Sequence, residues 1–507
     1  MMRSSRLGAI FAIALFFDLI AFTQAESILA QQRTNKMTQP PIVLKPCRLP
    51  GVDGEARCGM YEVREDRQGE RSRRITLKVV VLPALSAKRA EDALFVLAGG
   101  PGQAATEQAD FIARTFAKVR QERDIVLVDQ RGTGSSNGLH CNLYGEKLQG
   151  HLGDLFPAEA INLCYAQWER RADLRFYTTS IAMDDLDEVR SALGYDKINL
   201  FGASYGTRAA QVYLRHYPDR VRTVILKGTT PISDTIPPII ARDAQRSLNL
   251  LFDDCGKNET CRKAFPNLKQ EFAEVLARFE KGTVTVGILN DETGKVERGE
   301  LSRNVFVTTL RSLLQSTDTI AQLPLLIHEV YKGDYVSFAR TVLSIRRGFC
   351  RNVSIGVFLS VMNEDLRLFD PEMVQRESAG TFIGEYYYQQ LLQACSLLPR
   401  GTLSYGYREP VISYEPVLLI SGFLDPAAPP ENGEKVAQNL PNSLHVVVRY
   451  GSDSYTGLSP CFDNLMSDFI TRGHLKGVDT SCVDRLPKIS FQTPNNQTNR
   501  DKPIVNN

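Results

Sequence analysis

Asn199-Leu200-Phe201-Gly202-Ala203-Ser204-Tyr205-Gly206-Thr207 is the stretch on which the reading of this chain turns. Lys197 to Phe201 reads as a buried strand. It breaks into Gly-x-Ser-x-Gly, and Thr207 to Tyr217 then reads as a helix that stops at Pro218. A serine hydroxyl is a poor nucleophile unless it is lifted clear of the backbone and relieved of its proton. A tight strand-to-helix turn does the lifting, and Gly202 and Gly206 keep side chains out of the close crossing. The bare motif is weak evidence and also fits an ordinary glycine-rich turn. The strand before it and the helix after it favour a nucleophile elbow.

Outward from the elbow the pattern repeats. Arg74 to Leu82 reads as a strand, and Ala93 to Ala98 as a short strand apolar on both faces. The second ends in Gly99-Gly100-Pro101-Gly102-Gln103, a loop that presents backbone N–H groups without side chains in the way. Asp124 to Asp129 is the next strand, followed by Gln130-Arg131-Gly132-Thr133-Gly134-Ser135-Ser136. Ser180 to Leu193 reads as a helix with Ser180 as its N-cap, and Val221 to Leu226 as another strand. Strands alternating with helices of this length predict a mostly parallel sheet in an α/β fold. From Ile236 to about Pro399 the strand rhythm is lost. Helical patterns such as Asp243–Phe252, Leu268–Phe279 and Val305–Leu314 predict an inserted, mainly helical lid. Strands return at Pro416–Ser421 and Leu444–Val448, and Phe462–Arg472 reads as a closing helix. The expected organisation is a signal peptide over 1–25, a lead-in over 26–73, core over 74–235, lid over 236–400, core over 401–486 and a polar, disordered tail over 487–507.

The chain has 507 residues, 43% hydrophobic and 23% charged, which is enough for a large core and an insertion. A net charge of +2 argues against a nucleic-acid partner held by phosphate electrostatics. The start is a targeting pattern: basic Met1 to Arg6, Leu7 to Phe22 apolar apart from Asp18, and cleavage expected after Thr23-Gln24-Ala25, with Ile28-Leu29-Ala30 as second choice and an uncleaved anchor as the minority reading. The apolar run is short for a stable membrane span. Ten cysteines fit export to an oxidising compartment, periplasmic or extracellular. Closeness in sequence suggests Cys47–Cys58, Cys141–Cys164, Cys255–Cys261 and Cys461–Cys482, leaving Cys350 and Cys395 for each other, although sequence alone does not fix connectivity. No metal is expected, because none of the six histidines sits at ligand spacing near a cysteine pair.

A serine hydrolase of α/β type needs a nucleophile, an oxyanion hole, a base, and an acid that orients the base. Ser204 is the candidate nucleophile. The N–H of Tyr205 and one from the glycine loop, Gly100, are the candidate oxyanion donors. Gly422-Phe423-Leu424-Asp425-Pro426 follows a buried strand at its C-terminal end, the edge where functional groups collect in such sheets. Asp425 is therefore the candidate acid; its plain alternative is a surface turn.

From about Ile75 to about Phe491 the chain resembles the exported proline iminopeptidase and tripeptidyl aminopeptidase-like branch of the α/β-hydrolases. Gly99–Gln103 resembles that family's oxyanion loop, Asp129–Ser135 its next motif, Gly202–Gly206 its elbow, and Gly422–Pro430 its acid loop. Gly477–Cys482 resembles its C-terminal cysteine motif. The resemblance implies an exported enzyme without cofactor that uses serine to release residues from free peptide N-termini.

Two departures stand out. In the family, a glycine-rich loop after the last core strand carries the catalytic histidine. Here the segment is His445-Val-Val-Val-Arg-Tyr-Gly451-Ser452-Asp453-Ser454, and Asp453 stands at the histidine position. His445 precedes that loop, His474 falls in a turn past the closing helix, and His140, His151, His216 and His328 are distant in sequence. A carboxylate of ordinary pKa ~3.9 is a weaker base than an imidazole of ~6.5. Secondly, a family cysteine that precedes an acidic pair is Asn363 here, which supports Cys350 as the alternative partner of Cys395. Glu364, in that pair, is a candidate for holding a substrate's α-ammonium group; its alternative is a solvated lid carboxylate. Three functions remain in view: an aminopeptidase-type hydrolase acting on peptides, an inactive relative that binds peptide or protein partners, and an esterase of small acyl substrates. Oligomeric state is left open.

Overall fold

The apolar runs Leu94–Leu97 (β4) and Ile125–Val128 (β5) are strands buried along their whole length. They lie at the centre of a sheet, where only side chains that need no water are tolerated. The computed structural model describes residues 42–290, 293–366, 370–453 and 460–494. The expected signal segment and the end of the expected tail lie outside the described residues.

Nine strands form the main sheet: β1 (Lys45–Cys47), β2 (Ala56–Arg64), β3 (Arg74–Leu82), β4, β5, β6 (Ile198–Ala203), β7 (Val221–Lys227), β10 (Val417–Gly422) and β11 (Ser443–Val448). Their order is β1-β2-β3-β5-β4-β6-β7-β10-β11. Pairing is antiparallel from β1 to β5 by way of β3. It is parallel from β5 through β4, β6, β7 and β10 to β11. This is the expected α/β-hydrolase sheet. Its two faces carry separate apolar cores. One holds Val224 and Leu226 with the helix Tyr205–His216; the other holds Ile225 with Phe462, Leu465 and Met466 of the helix Pro460–Arg472.

Between β7 and β10 the chain is mainly helical, including Ile236–Lys257, Leu268–Glu280, Arg303–Leu313, Ile355–Leu366 and Tyr386–Ser396. Residues of the first three bury a third core of their own around Leu248, Phe272 and Phe306. This segment also contains an antiparallel hairpin, β8 (Val284–Leu289) with β9 (Val296–Leu301), which the helical reading does not include.

Several expectations are corrected. The segment read as a lead-in supplies β1 and β2, the outer strands of the sheet. The helix read from Ser180 runs Thr179–Ala192 and is capped by the Thr178 side chain, which accepts from the Ile181 N–H. The expected tail is ordered from 487 to 494: Phe491 is buried, and the Gln492 N–H donates to Ala321 O. Four disulfides form as paired from sequence. Cys350 and Cys395 do not form the fifth, and the Cys395 thiol faces Leu359 O instead.

Candidate active site

Ser204 follows β6 directly and opens the helix Tyr205–His216 at φ 52°, ψ −120°. A non-glycine residue held there costs on the order of 1–3 kcal/mol and persists only where its surroundings impose it. They do so here through backbone contact. The Ser204 N–H donates to Lys227 O at 2.8 Å, while Ser204 O accepts from the Thr207 N–H and hydroxyl at 2.9 and 2.6 Å. A β-carbon on Gly202 would lie 2.4 Å from Gly206 O, and one on Gly206 would lie 2.1 Å from Leu97 O. Both glycines are thus required by the crossing of β4, β6 and the helix. The Gly99–Gln103 loop lies beside the serine, since a β-carbon on Gly99 would come within 3.4 Å of Ser204 Cβ. Of the candidate oxyanion donors, Tyr205 follows Ser204 directly at the start of the helix, and Gly100, at φ +106°, follows the Gly99 that lies beside Ser204.

The loop is braced from below. Asp129 is fully buried and accepts from the Thr106 N–H and hydroxyl at 2.9 and 3.0 Å and from the Ser135 N–H at 3.2 Å. Arg131, also buried, makes a two-point pair with Asp185 at 2.7 and 2.8 Å. The Asp129–Ser135 motif is therefore architecture: Asp129 holds Thr106, three residues past the glycine loop, and Arg131 ties the motif to the helix Thr179–Ala192.

Asp425 is fully buried. Its Oδ1 accepts from the Ala427 and Ala428 N–H groups at 2.8 and 2.9 Å, while none of the described residues donates to Oδ2. Asp453 stands opposite. A β-carbon on Gly228 would lie 2.9 Å from Asp453 Oδ1 and 3.8 Å from both Asp425 Oδ2 and Ser204 N. The structure thus gathers Ser204, Asp425 and Asp453 around Gly228. Burial first, and the Asp453 charge second, push the Asp425 carboxyl up to about 7. Asp453 keeps partial exposure at its surface, yet its crowded surroundings raise it as well, against the opposing pull of Lys227 and Arg311.

No histidine enters this cluster. His445 Nε2 pairs with Ser421 Oγ at 2.9 Å along the edge strand, and His140 Nε2 lies 3.4 Å from Ser354 Oγ. His216 and His328 sit against Asp184 and Glu271 at 3.5 and 2.8 Å. His151 is buried beside Tyr144, and His474 is exposed. Glu364 corrects its solvated reading: it is 4% exposed, within electrostatic reach of the Tyr205 hydroxyl, which itself hydrogen-bonds Thr179 Oγ1 at 2.9 Å. Sequence reasoning missed Lys227, Gly228 and Arg311. The available signal was a lysine and a glycine after the apolar run Val224–Leu226, in a strand read as ending one residue too early.

Residues 92–452 match the α/β hydrolase fold family. The chain belongs to that family. Serine protease Hip1 of Mycobacterium tuberculosis is 30% identical over 253 residues, covering 45% of this chain and 48% of that one. The putative hydrolase YuaR of Escherichia coli is 25% identical over 162 residues, 32% of each chain. Tripeptidyl aminopeptidase of Streptomyces lividans is 32% identical over 164 residues, 29% of this chain and 30% of that one. The chain spans about half the length, or less, of the curated relatives it matches.

Proposed function

We propose that this protein is an exported, aminopeptidase-like serine hydrolase in which a carboxylate occupies the position of the catalytic base. Ser204 is the nucleophile, Gly100 and Tyr205 supply the oxyanion donors, Asp425 is the acid, and Asp453 stands where an imidazole belongs. The convergence of Ser204, Asp425 and Asp453 on Gly228 carries this reading. In the reaction Ser204 Oγ adds to the scissile carbonyl, its proton moves to the base, and the same proton then leaves with the departing amine. A carboxylate performs both transfers poorly at neutral pH. Burial raises the Asp453 carboxyl above its ordinary value, and a carboxylate is by nature a weaker base than an imidazole, so slow turnover is part of the proposal.

The substrate class follows from the lid. The helical segment over 236–400 meets the site loops: the Ser354 N–H donates to Gly102 O at 2.9 Å, and Ser452 Oγ to Leu314 O at 2.7 Å. Buried Glu364, carried on the helix Ile355–Leu366, is the group proposed to receive a substrate's α-ammonium. Export is supported by the four disulfides. No helix of the described residues is long and apolar enough to cross a membrane.

The test is reaction of the purified protein with a fluorophosphonate, mapping of the modified residue, and comparison of aminoacyl-naphthylamides with p-nitrophenyl esters. Slow modification confined to Ser204, with slow release from free N-termini, is expected. Efficient ester turnover with no peptidase activity would favour the esterase instead. A second reading, a peptide-binding relative, draws on the carboxylates of Glu364, Asp425 and Asp453 near the elbow, which suit an ammonium group. Peptide binding with an unreactive Ser204 would select it.

A further inference from the structure

Lys227 is the last residue of β7, and its carbonyl oxygen holds the Ser204 N–H. Side chains alternate along a strand. Val224 and Leu226 enter the core on one face, and Ile225 enters the other with Phe462 and Met466. Lys227 therefore leaves on the Ile225 side, towards the helix Pro460–Arg472, which carries Asp463. The next residue, Gly228, is the one around which Asp453 and Asp425 meet. The ammonium is thus within electrostatic reach of carboxylates from separate elements. Asp453 acts on it most, followed by Asp425 and Asp463. Asp453 in turn faces two cations, Lys227 from the sheet and Arg311 from the helix Arg303–Leu313, the helix whose following residue, Leu314, accepts from Ser452.

A buried lysine loses hydration, and burial draws Lys227 below its ordinary value. It stays charged only if carboxylates answer it. Asp425 is raised in part by the Asp453 charge, whereas the charged groups acting on Asp453 are the two cations. The two cations favour the charged form of Asp453, whereas the Asp453 charge works against that of Asp425.

We propose that Lys227 is the positioning residue of this site: paired with Asp453, and helped by Arg311, it fixes a carboxylate in the base position and makes that position unfavourable for an imidazole. The replacement is then a coupled change of two residues rather than of Asp453 alone. This inference rests on the proposed function insofar as Asp453 occupies the base position. One consequence concerns restoration. In Asp453→His the imidazolium that forms during acylation would meet the charge of the Lys227 ammonium, and a nearby like charge lowers the pKa of an imidazole, here by about one unit.

A test independent of activity is a double-mutant cycle on the full chain, using Lys227→Met, Asp453→Asn and both together, read as thermal midpoints. At pH 7 Lys227→Met should lower the midpoint by several degrees, and the loss should be much smaller when Asp453 is already Asn. Lys227→Arg should recover most of it. Additive losses at pH 7 would overturn the pairing. If Lys227→Met does not fold, carbon-13 aspartate titration of the wild type decides: Asp453 should stay ionised to lower pH than Asp425, and the reverse order would overturn the proposal. The second arm follows fluorophosphonate labelling against pH in Asp453→His and Asp453→His/Lys227→Met. Labelling should reach a higher plateau in the double variant, with its midpoint moved up by about one pH unit. Equal midpoints would refute the effect of Lys227 on the base. Absence of labelling in both, with coupling present in the cycle, would count against the hydrolase reading and leave the pairing standing.

Discussion

Asp425 Oδ2 and Asp453 Oδ1 both lie beside Gly228, 3.8 and 2.9 Å from where a β-carbon on that glycine would stand, and no described residue donates to Asp425 Oδ2. Two carboxylates in one site cannot both ionise without cost. The chemistry open to Ser204 follows from how that cost is shared.

The pair sets a pH dependence. The Asp425 carboxyl is raised from the ordinary carboxylate range to about 7. A group raised on folding contributes stability that is present below its unfolded value, ~3.9, and is lost as pH climbs through its folded value. From pH 4 to 7 the wild type should therefore lose stability relative to Asp425→Asn, at about 1.4 kcal/mol for each pH unit crossed and so by a few kcal/mol in all. Asparagine can still accept from Ala427 and Ala428. Thermal midpoints of the two proteins across that range test this, and parallel curves would argue against a raised Asp425.

Gly228 has φ +65° and no room on the side of Asp453. Gly228→Ala should cost on the order of 1–3 kcal/mol in denaturant unfolding, through backbone strain and displacement of the Asp453 side chain. A neutral substitution would mean that the Asp453 loop sits farther away.

The thiol inventory gives a third expectation. Unfolding the mature protein without reductant and alkylating it should add two groups, on Cys350 and Cys395, as seen by intact mass and peptide mapping. No addition would indicate a fifth disulfide.

Glu364→Gln should raise KM for substrates with a free N-terminus and leave N-acetylated esters nearly unaffected, because only the former bring an ammonium group to the site. An equal effect on both would place Glu364 in a purely structural role.

Much of this is legible in the chain itself. β3 spans the predicted Arg74–Leu82, because a strand preceded by charged Arg71 and Arg73 and stopped by Pro83 has clear ends. The elbow, the glycine loop and Asp425 are legible because each is a short local motif whose glycines or position carry its geometry. The helix after Ser204 starts two residues earlier than its pattern suggests, since Tyr205 and Gly206 look like turn residues until Ser204 is seen at positive φ. The β8–β9 hairpin is hidden because only part of each strand is buried. Lys227 is hidden for a different reason. Its partners Asp425, Asp453 and Asp463 are distant in sequence, and only the parallel order β6-β7-β10-β11 brings their loops to one edge. The Cys350–Cys395 pairing fails because leftover cysteines imply nothing about proximity.

The most direct measurement is the second-order rate of fluorophosphonate labelling of wild type, Asp453→His and Asp453→His/Ser204→Ala at neutral pH. If Asp453 marks the missing base, the histidine variant should label at least ~10²-fold faster than wild type, the lower end of what a positioned base contributes. Labelling should vanish when Ser204 is removed. Fast, Ser204-dependent labelling of the wild type, or no gain in the histidine variant, would show that Asp453 does not stand in the place of the base.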